Sequence, residues 1–453
     1  MCTLTAKYNV AGPRYTSYPT VPYWDNNSFS LNRWKESLLR SFRESNTQEG
    51  ISLYIHLPYC ESMCTFCGCN KRITRNHEVE RPYIQAVLKE FALYIALFNE
   101  RPVIKQIHLG GGTPTFFSAP NLDKLLHGVF TLATKAANCE FSFEGHPSNT
   151  TQEHLETLAS RGFTRVCYGV QDYNLTVQKA INRIQPFEQV QQATARARAA
   201  GYSSVGHDII YGLPFQTHEH VIHTIEQTIN LAPDRIAFYS YAHVPWIKGN
   251  GQRGFCDADL PSAIQKRQQY ETGKKLLTAA GYVEIGMDHF ALKTDSLYKA
   301  QEMGTIHRNF MGYSDSKTQL MLGLGVSSIS DSWYGFSQNV KNVDEYQSLV
   351  AQRILPVNKG HLLTPEDLVI RKHILNLTCT FETSWEDEQL RFPELPDVLM
   401  KLKELETDDL LEIYATKLVV TTKGKAFVRN ICMPFDLRLQ RNKPATQLFS
   451  MTV

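Results

Sequence analysis

From about residue 50 the chain alternates short runs rich in β-branched and aromatic residues with longer stretches of helical spacing. This alternation limits the fold more than any other feature. The strand candidates are SLYIHL (52–57), KQIHLGG (105–111), EFSFEGHP (140–147), RVCYGVQ (165–171), VGHDIIYGLP (205–214) and RIAFYSYA (235–242). Between them, segments such as 79–98 and 220–232 place apolar residues on one helical face. Strands joined through helices run parallel, because the crossover needs a dozen or more residues. Six such units predict an α/β chain, as a closed barrel, a partial barrel or a doubly wound sheet; periodicity does not choose among these. In all three, chemistry gathers at the carboxyl ends of the strands. The conspicuous polar residues fall near those ends: cysteines after SLYIHLP, glycines after KQIHL, then Glu144, Gln171, Asp172 and Asp208.

The flanks read differently. Residues 1–45, with many prolines and tyrosines, are expected to form an irregular N-terminal arm, and 46–360 the barrel domain. Residues 361–453 are expected to form a small, mostly helical, winged-helix-like C-terminal domain: two helices, a short strand pair turning at Lys423 and Gly424, then a further helix. A winged helix can bind DNA, but 47 basic residues stand against 45 acidic ones, with the two signs mixed along the chain. That balance gives no support for a nucleic-acid or membrane-surface partner, so a covering or substrate-closing role is expected. No run approaches the roughly 20 apolar residues that span a bilayer, and the first residues resemble no targeting signal. The expectation is a soluble cytoplasmic protein without a membrane span.

Four of the ten cysteines fall within YIHLPYCESMCTFCGCN (54–70), directly after the first strand. Cys60, Cys64 and Cys67 have the spacing C-x3-C-x2-C, and Cys69 follows. Positions i, i+4 and i+7 could equally be one buried helix face. Pro58, Gly68 and Asn70 favour a loop, however, and clustered thiolates in a loop can hold zinc or an iron–sulfur cluster. No second cysteine pair stands elsewhere to complete a closed zinc site, which favours a cluster. Three ligands would leave one iron of a four-iron cluster open.

The motif after the first strand of such a barrel resembles the radical S-adenosylmethionine superfamily. GPRYTSYPT (12–20), CTFCGCN (64–70), GGGTPT (110–115), GVQD (169–172), DIIYGLP (208–214), YAHVP (241–245), GMDHFA (286–291), HRNF (307–310) and RNIC (429–432) further resemble the oxygen-independent coproporphyrinogen III oxidase family. The resemblance implies a three-quarter (β/α)6 barrel and a [4Fe–4S] cluster held by Cys60, Cys64 and Cys67. Cys69 is not expected to be a ligand, though a fourth ligand or a packed thiol stays open. S-adenosylmethionine would lie against Tyr54 and Phe66, its methionine part near Gly111, Gly112 and Thr113. Glu144, Gln171, Arg183 and Asp208 would supply polar contacts, with Ala242 and Ile329 beside the adenine or a second S-adenosylmethionine. Read without the resemblance, Tyr54 and Phe66 are ordinary core aromatics and Arg183 an exposed helix arginine.

The implied reaction converts two propionates of coproporphyrinogen III to vinyl groups, giving protoporphyrinogen IX. Remaining substrate carboxylates need cations, for which Arg14 and Arg308 are candidates, a surface ion pair being the alternative for each. The implied partners are the porphyrinogen and a reduced donor such as a flavodoxin or ferredoxin, and the implied state is a monomer. Competing readings are a haem-binding chaperone, a haem-modifying radical enzyme and a structural zinc protein. Two positions depart from the family pattern. Met311 stands where an amide is expected, and His146 stands where an aspartate is expected, as either a proton donor or an ordinary hydrogen-bonded histidine.

Overall fold

The computed structural model describes residues 2–246 and 251–452. All six expected strands are present: β1 (Ile51–Leu57), β2 (Val103–Gly111), β3 (Thr134–Gly145), β4 (Phe163–Gln171), β5 (Ser204–Tyr211) and β6 (Arg235–Ser240). They pair in parallel in that order, with helices in the connections. The sheet also extends beyond them. On one side, β7 (Tyr282–Ile285) and β8 (His289–Leu292) add an antiparallel edge to β6. On the other, β9 (Met321–Leu324) runs parallel to β1, and β10 (Ile329–Asp331), β11 (Gly335–Asn339) and β12 (Val357–Leu362) continue antiparallel. The resulting sheet has 12 strands with β12 and β7 at its edges, so the barrel is partial, as expected.

The period of two along each strand divides the two faces of this sheet. Leu53, Ile55 and Leu57 of β1, Ile107 and Leu109 of β2, and Phe141 and Phe143 of β3 are fully buried in one apolar cluster shared with the helices Glu80–Phe98 and Ala119–Leu132. The alternate residues face inward and are polar. Ser52 bonds Gln106 at 2.7 Å, His108 bonds Ser142 at 2.8 Å, Arg165 pairs with Glu140 at 2.9 Å and Cys167 donates to Asp208 at 3.0 Å. The lumen is therefore a lining of hydrogen-bonding groups, whereas a closed barrel packs apolar layers there. His207, one residue before Asp208, faces outward and meets Thr194 of the helix Phe187–Ala199 at 3.0 Å.

Two expectations need correction. The N-terminal segment is not irregular throughout: Cys2–Tyr8 and Leu31–Ser45 are helices, the second opened by Ser30, whose side chain accepts from the Arg33 N–H. Trp34, Leu38 and Phe42 of that second helix join the barrel core, because the stripe they make is apolar at helical spacing. Tyr8, Tyr15 and Tyr18 instead join the C-terminal core. The second correction concerns the C-terminal hairpin. Its strands, Leu411–Ile413 and Lys417–Val420, close at residues 414–416, with a third strand, Glu382–Ser384, on the other side of Lys417–Val420. Lys423 and Gly424 lie beyond the hairpin at the start of a 3-10 turn. Glycine is required there because a Cβ would sit 1.7 Å from the Leu410 carbonyl oxygen, a close approach that resembles a turn signal in the sequence.

Candidate active site

β1 leads into the cysteine loop through Pro58. Tyr59–Cys60 then pair in parallel with Arg72–Ile73, so the loop leaves and returns at one point. Backbone and side-chain bonds tie it to the segment after β4: the Thr65 N–H donates to Ile181 O at 2.9 Å, Thr65 Oγ1 to Ala180 O at 2.7 Å, and Asn182 Nδ2 to Met63 O at 2.7 Å. The Gly251 N–H bonds Cys67 O at 3.0 Å, and a Cβ there would lie 2.4 Å from Cys64 O. Gln252 donates to Phe66 O at 3.3 Å and to Ala242 O at 2.7 Å.

Cys60, Cys64 and Cys67 line one cavity of about 300 Å³, together with Phe66, Gly112, Thr113, His146 and Arg183. All three are free thiols, partly exposed. Burial pushes the Cys60 thiol up to about 11, against the opposing Thr113 hydroxyl at 3.3 Å. Cys67 is brought down from its ordinary value, chiefly by a hydrogen bond from the Cys69 thiol, with Lys71 adding a positive field. Cys69 is correspondingly held protonated. Arg183 reaches Cys64 Sγ at 3.8 Å and donates to Gly169 O at 2.6 Å, and its Nε is buried without a partner. Lys71 Nζ donates to Cys67 O at 3.1 Å.

The glycine-rich turn packs against this loop. The Gly112 N–H donates to Leu57 O at 2.8 Å and the Thr113 N–H to Tyr59 O at 3.0 Å. A Cβ on Gly112 would meet Pro58 C and O at 2.6 Å, so only glycine lets the turn lie this close. Gly111 adopts φ 115° and rests on the His56 ring. On the lumen side, Glu144 accepts from the Gly111 N–H at 3.3 Å and from His108 at 3.4 Å. Burial would raise the Glu144 carboxyl, but the His108 hydrogen bond and charge outweigh it and hold the group below its usual value. Tyr54 bonds His56 at 3.1 Å and stacks on His108. Asp208 sits within β5 and burial raises it to about 6.

The expected residues thus divide. Phe66, Gly112, Thr113 and Arg183 share the cysteine cavity; Glu144, Asp208 and Met311 line a second cavity of about 200 Å³ in the lumen. Gln171 is buried at the end of β4 with φ 68° and its Oε1 unpartnered, next to Gly169 and Arg183. Tyr54, Gly111 and Ala242 support these walls without lining either cavity. Ile329 does not line them either; its carbonyl packs on Gly323, the residue beside Tyr54 in register. Arg14 and Arg308 meet in a third cavity, the Arg308 guanidinium donating to Arg14 O at 2.9 Å. His146 is an acceptor at Nδ1, toward the Ser148 N–H at 3.3 Å, and burial lowers it to about 3. Burial thus disfavours its charged form.

Sequence reasoning missed His108, Gly251, Gln252 and Lys71. His108 carried a signal, since it alternates with Gln106 on the inward side of β2. The other three serve the loop through backbone carbonyls, which no side-chain motif announces.

Three thiols facing one cavity, cations beside them, and a glycine turn that closes on the loop fit a cluster and its bound cofactor. Together with the partial parallel barrel, they define a radical S-adenosylmethionine enzyme, and residues 54–228 match the Radical SAM superfamily. The chain is 38% identical over 444 residues to the oxygen-independent coproporphyrinogen III oxidase of Helicobacter pylori, covering 96% of each. It is 36% identical over 460 residues to that of Synechocystis, covering 99% of this chain and 97% of the relative. Among solved structures it is similar to the Escherichia coli coproporphyrinogen III oxidase, described as a radical SAM enzyme, with TM-score 0.87 and 35% identity over 93% of this chain and 97% of that one. The chain belongs to the oxygen-independent coproporphyrinogen III oxidase family. It uses a [4Fe–4S] cluster and S-adenosylmethionine. Among the described residues, no helix is long and apolar enough to cross a membrane.

Proposed function

We propose that the chain decarboxylates two propionates of coproporphyrinogen III oxidatively, giving protoporphyrinogen IX. The observation that carries this reading is the single cavity shared by Cys60, Cys64, Cys67, the Gly112–Thr113 turn and Arg183 at the mouth of a polar lumen. When bound, the cluster and S-adenosylmethionine supply a 5′-deoxyadenosyl radical, which removes a hydrogen from the propionate β-carbon. Carbon dioxide then leaves and one electron per propionate passes to an acceptor.

In this reading Cys60, Cys64 and Cys67 would hold the cluster. Cys69, beside Cys67, would stay outside the ligand set. Arg183, whose Nε lacks a partner, holds the cofactor carboxylate. Glu144, kept anionic by His108, accepts from its ammonium or ribose groups. Phe66 packs against the cofactor, and Tyr54 fixes the His56 and His108 rings behind it. Gln171, Asp208, Ala242 and Ile329 complete the proposed surroundings. The reductant is a flavodoxin or ferredoxin, and the protein works in the cytoplasm as a monomer.

The test is anaerobic. The protein is reconstituted with iron and sulfide, reduced, and supplied with S-adenosylmethionine and coproporphyrinogen III. The expected result is a brown protein that forms 5′-deoxyadenosine and releases carbon dioxide as protoporphyrinogen IX accumulates. A colourless protein with stoichiometric zinc overturns the radical reading; cofactor cleavage without decarboxylation overturns the substrate.

A further inference from the structure

A concentration of positive charge lies apart from the cysteine loop. Tyr211 and Ser240, at the carboxyl ends of β5 and β6, border a cavity of about 80 Å³, room for carboxylate groups but not for a macrocycle. Its walls come from the N-terminal segment, the helix Ala263–Ala279 and the C-terminal domain. Six cationic side chains line it: Arg14, Lys266, Arg267, Arg308, Lys425 and Arg429. Only Glu284 and Asp288 oppose them. Glu284 is engaged by Lys274 at 2.6 Å, and Asp288 by His289 at 2.7 Å.

Buried charges are normally paired, because desolvation is otherwise uncompensated. Here Arg308 is buried and Arg14, Lys266 and Arg429 are half-buried, and none of the four has a carboxylate within ion-pair distance among the described residues. Backbone carbonyls hold the guanidiniums instead: Arg14 donates to Ser240 O at 2.8 Å, Arg308 to Tyr15 O at 2.5 Å, and Arg429 to Pro13 O and Met451 O at 3.0 Å each. Such bonds orient a cation without neutralising it. The Nε atoms of Arg14, Arg267 and Arg308 are buried and unpartnered. Burial and the neighbouring Arg14 charge lower Lys266 to about 8 and Arg429 to about 9. Asp288 feels Arg14 and Arg308 through their field but pairs with His289, so the cavity holds more positive charge than the chain itself neutralises.

The cavity also adjoins the lumen. Arg308 lies over the Tyr313 ring at 5.2 Å and Asp288 bonds His289, and both Tyr313 and His289 line the lumen cavity. An anion held here belongs to a molecule that reaches into the lumen.

We propose that this cavity anchors the two porphyrinogen carboxylates that are not decarboxylated, with Lys266 and Arg429 as direct contacts beside Arg14 and Arg308. The assignment rests on the substrate reading above. A reacting carboxylate becomes neutral carbon dioxide, so a cation clamp on it would stabilise the ground state more than the transition state and slow the step. The two retained carboxylates stay charged throughout, and clamping them fixes the macrocycle with no such penalty.

The test uses the reconstituted holoenzyme. Lys266→Met keeps the aliphatic stem, which packs on Gly212, and removes only the charge. Coproporphyrin III, the unreactive oxidised tetracarboxylate, and its neutral tetramethyl ester are titrated by fluorescence. Wild type is expected to favour the acid strongly. Lys266→Met is expected to bind the acid about tenfold more weakly and the ester unchanged, since a charged hydrogen bond is lost. Turnover should show KM raised with kcat within about twofold, the signature of equal binding in ground and transition states. Lys266→Gln is a second replacement should the first misfold, and Arg429→Lys, which keeps charge, should retain most of the preference. Wild-type affinity for the acid in both Lys266 variants, or equal losses for acid and ester, overturns the anchor. A wild type that decarboxylates coproporphyrinogen III yet binds acid and ester alike overturns the anchor and leaves the function standing. No 5′-deoxyadenosine with this substrate overturns the function itself.

Discussion

The cysteine cavity and the basic cavity lie at the same end of the sheet but are assembled differently. The first draws its three thiols from one loop of eight residues, Cys60 to Cys67, and its second wall from the turn after β2. The second draws its cations from residues 14, 266, 267, 308, 425 and 429, four well-separated parts of the chain. A site whose chemistry needs several identical ligands around one object concentrates them locally, and a strand followed by a loop is enough to present them. A site that grips the periphery of a large molecule can take each contact from a different element, provided the fold fixes the angles between them. The two should therefore respond differently to perturbation, the first failing outright and the second failing by degrees.

The largest effect is expected at the loop. Cys64→Ala should abolish the iron–sulfur absorbance and bring 5′-deoxyadenosine formation to background, because a cluster with one ligand removed is not retained. Retained cluster absorbance in Cys64→Ala, with loss in Cys69→Ala, would exchange the roles proposed for these two cysteines.

Next comes the glycine turn. Gly112→Ala adds a Cβ 2.6 Å from the Pro58 carbonyl group, so the turn must move off the loop. A displacement of about 1 Å at a reacting centre can cost on the order of a hundredfold in rate. The expected outcome is a brown protein with normal cluster content but weak S-adenosylmethionine cleavage. Unchanged cleavage would mean that the turn is not part of the cofactor's surroundings.

These two positions also show what could be read before the structure. The six parallel strands and the cysteine loop were legible, because each is a local pattern: β-rich runs between helical stretches, and ligand spacing; Glu144 was legible as a strand-end residue, its role only through the family resemblance. The extension of the sheet by β7–β12 was not. Strands such as Ile329–Asp331 are three residues long, too short for a periodic signal, and their pairing is fixed by neighbours distant in sequence. Lys266 and Arg267 escaped for a related reason. In QKRQQY they resemble the solvated side of an amphipathic helix, and only the C-terminal domain packed alongside turns that side into a wall. Gly424 misled in the opposite sense, since a close approach to Leu410 and a tight turn both demand glycine.

Salt separates the two cavities more gently. Raising ionic strength from about 0.05 to about 0.5 M shortens the Debye length from roughly 14 to roughly 4 Å. A tetra-anionic porphyrinogen drawn by a net positive cavity should show a KM several-fold higher, measured by product fluorescence. S-adenosylmethionine, whose ammonium and carboxylate offset each other and leave a single sulfonium charge, should change less. Equal salt effects on the two KM values would remove the electrostatic distinction between the cavities.

The smallest effect is expected at Asp288, the one carboxylate in the basic cavity within reach of its free cations. Burial alone would raise this carboxyl, but the His289 hydrogen bond and the charges of Arg308 and Arg14 bring it from 3.8 down to about 2. Its depressed value means the unfolded chain binds a proton more readily than the folded one. The stabilisation is therefore fully present above about pH 3.8 and is lost as pH falls through about 2, amounting to at most about 2 kcal/mol. Asp288→Asn should lower stability by about that much at pH 7 and flatten its loss between pH 4 and 2, read by chemical denaturation at each pH. The same change removes the internal rival for the cations, so coproporphyrin III should bind somewhat more tightly than to wild type. Weaker binding would show instead that Asp288 orders Arg14 and Arg308 for the substrate, and that the basic cavity, like the cysteine loop, depends on each member being present.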